Sequence, residues 1–160
     1  MRIKLALPAA LFVCAIAAPC AHAAPPLKPA CDLLKQQTAV ALYGAPLKPG
    51  VGGAGALMST CIFSGAKGDP VGLIMMAIPP HGDANQMYQQ MAHSSPKAQV
   101  DAVSGLGERA DFIKDPSNPT TISLSVLSHA TILSLGVEAP DNPTRRAAMV
   151  SAMKDIVAHQ

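Results

Sequence analysis

Three patterns in this sequence predict an α+β domain: a mainly antiparallel sheet of about five strands with helices packed on it. Residues 121–128 alternate apolar and polar side chains, and residues 131–138 follow as a further strand after only His129-Ala130. A connection that short joins antiparallel neighbours. Residues 57–64 and 71–78 form a second pair around the turn Gly65-Ala66-Lys67-Gly68-Asp69-Pro70. Stretches with helical spacing precede, separate and follow these pairs, which gives the order α-β-β-α-β-β-β-α.

Taken from the start, Arg2 and Lys4 precede an uncharged apolar run from Leu5 to Ala18. Ala21-His22-Ala23 then places small residues at both positions a signal peptidase inspects. This layout predicts residues 1–23 as a secretory signal peptide and the rest as a periplasmic or secreted protein. The apolar run is too short for a membrane span, which needs roughly 20 residues. Cys20 stands where a bacterial lipoprotein carries its acylated cysteine. Pro19 replaces the small, flexible residue such signals use, so lipid anchoring is not expected. Residues 24–30 are Pro-rich and predict an extended leader, and residues 31–160 a single domain.

Cys14 and Cys20 fall inside the signal, leaving Cys31 and Cys61. An even pair in an exported chain predicts a disulfide. A redox-active or metal-binding pair needs close spacing such as C-x-x-C, which is absent.

A helix is expected over 31–43, with Leu33, Leu34, Val40 and Tyr43 along one side and Gly44 ending it. Pro46, Pro49 and four glycines make residues 45–56 a loop. The strand at 71–78 carries apolar residues on both faces, which predicts a central strand covered on both sides. Pro79-Pro80 stops it. Asp83 is placed to cap a helix over 84–93 that turns Met87, Tyr88 and Met91 inward. Gly105 and Gly107 bracket Leu106, a predicted core plug, ahead of a short strand at 110–113. Asp141-Asn142-Pro143 opens the last helix, whose expected inner stripe is Ala147, Val150, Met153 and Val157.

Cys31-Asp32-Leu33-Leu34 opens a helix closed by Gly44; Cys61-Ile62-Phe63 and then Gly105-Leu106-Gly107-Glu108-Arg109-Ala110 follow. This succession resembles a group of small exported bacterial proteins, many of them lipoproteins of unknown function, with a PsbP-like α+β fold. Their pattern is Cys-x-Leu-Leu, a helix closed by Gly, Cys-x-aromatic, then Gly-Leu-Gly-x-x-Ala. Two departures stand out. Lys35-Gln36-Gln37-Thr38 occupies a stretch where the group often has an acidic residue and a Thr cap, and the lipidation site is missing. The resemblance implies the same fold and the Cys31–Cys61 bond. It carries no catalytic residues.

Of the 12 Lys and Arg, two lie in the signal, and the other ten balance the 10 Asp and Glu. A neutral surface lacks the clustered cations that polyanion and nucleic-acid binding require. Gly50-Val51-Gly52-Gly53-Ala54-Gly55 matches G-x-G-x-x-G, but a helix precedes it and a strand follows. The dinucleotide site needs the opposite order, so no cofactor is expected. The serines lack a G-x-S-x-G elbow, and no catalytic residue is assigned. Met75, Met76, His81, Met87, Met91 and His93 crowd one segment, and thioether and imidazole ligands suit Cu(I). Methionine is equally ordinary core filling in a chain this poor in aromatics. The leading expectation is a non-catalytic binding or accessory domain of the cell envelope. The alternatives are a Cu(I)-binding envelope protein using Met87 and Met91 with Met75, Met76 or His81, and an enzyme of unrecognised type.

Overall fold

The computed structural model describes residues 26–66, 68 and 70–160. The expected signal peptide over 1–23 and the lipidation site weighed at Cys20 lie outside the described residues. Two short helices, α1 (Ala30–Leu33) and α2 (Gln36–Tyr43), lead into strands β1 (Val51–Ala54), β2 (Met58–Ser64) and β3 (Pro70–Ala77). Helix α3 (Ala84–Ala92) follows, then β4 (Gln99–Ala102), β5 (Arg109–Lys114), β6 (Thr121–Ser128), β7 (Thr131–Glu138) and α4 (Pro143–His159). The strands form one antiparallel sheet in the order β1-β2-β3-β7-β6-β5-β4.

The fold is therefore α+β and antiparallel, with seven strands among the described residues where the sequence predicted about five. Both additions are edge strands that carry no alternating apolar pattern. In β1, Gly52 pairs with Cys61 so closely that a Cβ would stand 2.3 Å from the Thr60 carbonyl oxygen and 2.8 Å from Cys31 Sγ. Backbone approach makes this strand, and its glycines read as a loop. In β4, Gln99, Asp101 and Ala102 are exposed, so no buried face marks it in the sequence.

The helix expected over 31–43 breaks at Leu34-Lys35. Leu34 leaves helical geometry, at φ −89° and ψ 97°, and its side chain is fully buried. The break lets Cys31 meet Cys61 on β2, where the expected disulfide is formed. Gly44 ends α2 at φ 86°, a conformation that favours glycine.

One face of the sheet carries the main core. Leu73, Leu124, Val126, Leu133 and Leu135 are fully buried there under α1, α2 and α4. Of the expected stripe, Met153 is fully buried, but its companions are Met149, Ala152 and Ile156; Ala147 is exposed, and Val150 and Val157 flank the contact. Both sets obey helical spacing, and packing against α2 and β6 chooses between them. Caps form as expected: Asp83 accepts from the Gln86 N–H at 2.9 Å, and Asn142 from the Arg145 N–H at 2.8 Å. Both arginines of the Arg145-Arg146 doublet are engaged. Arg145 donates to the Leu42 carbonyl, while Arg146 grips Asp141 and Asp101 and lies over the Phe112 ring.

The β6–β7 turn holds two non-glycine residues in left-handed backbone, His129 at φ 47° and Ala130 at φ 58°. A two-residue turn of this kind matches the sheet's twist but costs L-residues about 1–2 kcal/mol each. Replacing the pair with Asn-Gly (H129N/A130G) is expected to raise stability by about 1–2 kcal/mol. A higher urea midpoint at unchanged slope checks it. An unchanged or lower midpoint would mean that the Ser128 and Gln160 contacts to the His129 ring outweigh the strain.

Candidate functional site

β3 lies centrally, as its two apolar faces predict, but only one face is covered along its whole length. Val71, Leu73 and Met75 enter the main core; Ile74, on the other side, is 42% exposed. α3 closes just one end of that second face, packing Tyr88 and Ala92 on Leu127 and Ile132. Among the described residues nothing covers the remainder of the face, and it forms the candidate site.

Register sorts the open face into cross-strand rows. One row runs Ile62, Gly72, Gly136, Ser123, Ile113 across β2, β3, β7, β6 and β5. On one side of it lie Pro70, Glu138 and Thr121. On the other lie Ile74 and Ser134, with the Ser134 hydroxyl 3.3 Å from that of Ser125. Gly72, Gly136 and Ser123 are small, so the middle of this row sinks into a trough of about 200 Å³ between its neighbours. A larger hollow of about 440 Å³ between α2 and α4 is bordered by Lys35, Gln37, Thr38 and Asp155, side chains of a solvated helix seam.

Gly72 and Gly136 face each other on the neighbouring strands β3 and β7, and the fold does not demand either. Neither has positive φ. A Cβ at Gly72 would meet nothing closer than 3.7 Å, and one at Gly136 nothing closer than the Ser123 hydroxyl at 3.6 Å. Those are ordinary contacts. Glycine inside a strand is destabilising by roughly 0.5–1 kcal/mol relative to alanine and often marks a place where a ligand or another backbone comes close. These two glycines keep the trough deep at a cost in stability.

The trough is bounded at the α3 end by a buried polar latch. Tyr88 donates its hydroxyl to the Ser125 carbonyl at 3.0 Å. Asp111, only 3% exposed, pairs with Arg109 at 3.0 Å, and the guanidinium lies 5.1 Å from the Tyr88 ring centre. Burial first, and then the neighbouring Asp111 carboxylate, push the Tyr88 phenol well above the usual tyrosine range. The latch holds α3 against the sheet. Sequence does not show which side of β5 receives a helix, so the burial of Asp111 is visible only in the structure.

The methionines divide. Met75 is buried in the main core, while Met76, Met87 and Met91 pack around the small cluster under α3 on the opposite face. The sheet therefore separates Met75 from the rest of the Cu(I) set. His81 and His93 are exposed on either side of α3. Among the described residues, no three of His, Cys, Asp and Glu gather to hold a metal ion. Ser128 and His129 touch at 3.0 Å, but Glu108 accepts from the His129 backbone N–H rather than from its ring. That arrangement orders the β6–β7 turn.

All the large exposed apolar side chains among the described residues, Val51, Leu57, Met58, Ile62 and Ile74, belong to β1–β3 and the β1–β2 turn. Sequence reasoning missed this patch because an apolar residue in a strand reads as core. The glycine pair was legible only as two isolated strand glycines, and their pairing needs the register. No protein-family model, curated protein or solved structure matches this chain.

Proposed function

We propose that this chain is a non-catalytic, exported binding or accessory domain of the cell envelope, PsbP-like in kind, which holds its ligand against the open face of its sheet. The observation that carries this reading is the paired Gly72 and Gly136 at the floor of the trough. They keep the middle of the sheet hollow where alanine would fit. The exposed Ile62 and Ile74 beside them add apolar surface of the kind that marks interaction sites.

A photo-reactive side chain replacing Ile74 in the full exported chain tests it. In the host envelope it is expected to form a discrete adduct that disappears in the G72A/G136A background. The same group at Lys154, exposed on α4, should form none. Equal adducts with and without the two alanines, or none at Ile74, would refute the trough as the binding surface.

A further inference from the structure

The walls of the trough restrict what it takes, and this inference rests on the binding reading above. Its floor, Gly72-Gly136-Ser123, spans three strands, or roughly 10 Å between the outer two. Ile62 and Ile113 stand on the strands at either end. An α-helix, about 10–12 Å across with its side chains, is too broad to sink into this single row. Among the described residues no aromatic side chain lines the trough to give a flat ring a stacking partner. No Lys or Arg lines it among the described residues, so an anion finds no counter-charge.

The charge that does line it is Glu138, which makes no ion pair among the described residues. Beside it on β6, the buried Thr121 hydroxyl has no hydrogen-bond partner among the described residues. These two groups sit at the β6–β7 side. At the β2 side the row runs out through Ile62, 46% exposed, to its partner Val51, 76% exposed. One end is therefore acidic and hydrogen-bonding, the middle is narrow and bare, and the far end is aliphatic. We propose that the trough binds a single-chain aliphatic amine, its ammonium group at Glu138 and Thr121 and its alkyl chain lying across Gly136 and Gly72 toward Ile62.

The test uses the full oxidised chain and three probes of equal length below their micellar concentrations: decylamine, decanol and decanoate. Backbone amide NMR signals of Gly72, Gly136 and Ser123 are followed through each titration. Decylamine is expected to shift them saturably, with decanoate at least about tenfold weaker because its carboxylate meets Glu138. Glu138→Gln should lower decylamine affinity by about tenfold or more and leave decanol unchanged. G72A/G136A should abolish binding of all three while thermal stability holds or rises. Equal affinity for amine and carboxylate would overturn the ligand class and leave the trough standing as a binding site. If no chain binds while the Ile74 adduct still depends on the glycines, the ligand inference fails and the binding reading survives. If the chain instead pairs with itself, with a concentration-dependent mass lost in Ile62→Ser, a second copy is the occupant and the inference is overturned.

Discussion

Replacing Cys31 and Cys61 together with alanine is expected to lower the unfolding free energy by about 3–4 kcal/mol and the melting temperature by on the order of 10 °C. The two cysteines are 30 residues apart. Cross-linking a loop of that length removes much of the unfolded chain's freedom, whereas the folded state changes little. The native geometry adds to this. Cys61 is fully buried on β2, and Cys31 packs where Gly52 brings the edge strand closest. The bond therefore ties α1, β1 and β2 together at the margin of the sheet. Urea unfolding of wild type and double variant, both without reductant, measures the difference. A loss below about 1 kcal/mol would mean that the reduced chain's unfolded state is already compact and that the entropic account fails here.

Tyr88→Ala is expected to cost about 3–5 kcal/mol, as for truncation of a large buried aromatic. Tyr88→Phe should cost only about 1 kcal/mol, the net value of one hydrogen bond. The ring fills the contact between α3 and the sheet, while the hydroxyl secures it to Ser125 and lies beside Asp111. The loss should fall first on α3, seen as faster amide exchange at residues 84–92 than in β6 or β7. The alanine variant would be refuted as a latch mutant if exchange in α3 stayed at wild-type rates.

The phenol also has a pH signature. Its folded pKa is raised above the ordinary 10.0, so its contribution is complete below that value. It declines as pH rises further, because the unfolded state then gives up the proton and the folded state does not. Wild type should therefore lose stability relative to Tyr88→Phe above about pH 10. Parallel pH profiles for the two proteins would contradict this.

Several elements were legible because their cause is local. The 121–128 and 131–138 pair is specified by alternation and a two-residue connection, and it forms the hairpin β6–β7. Asp83 and Asn142 cap the helices they precede because a cap involves only three or four consecutive residues. Leu106 is buried between Gly105 and Gly107, both at positive φ, as the bracketing predicted. Other features were not legible because their cause lies elsewhere in the chain. The inner face of α4 depends on α2 and β6, and two sets of residues fit the spacing equally well. β1 exists because Gly52 permits an approach to Thr60 and Cys31, and β4 because β5 offers a free edge.

By itself, then, the sequence determined the α+β class, the antiparallel hairpins, the helix caps and, from two cysteines in a chain read as exported, the disulfide. These rest on period, on adjacent residues or on counting, and they survive whatever the chain packs against. Tertiary structure decided which face of the sheet is covered and which is bare. It aligned Gly72 with Gly136, brought Asp111 under α3, and split Met75 from Met76. Side chains of successive strand residues point to opposite faces, so a strand apolar on both sides is the same string whether a helix lies over it or nothing does. In this chain α3 spans only nine residues, too few to cover the second face. The exposed remainder, with its glycine floor, is where the binding site is proposed.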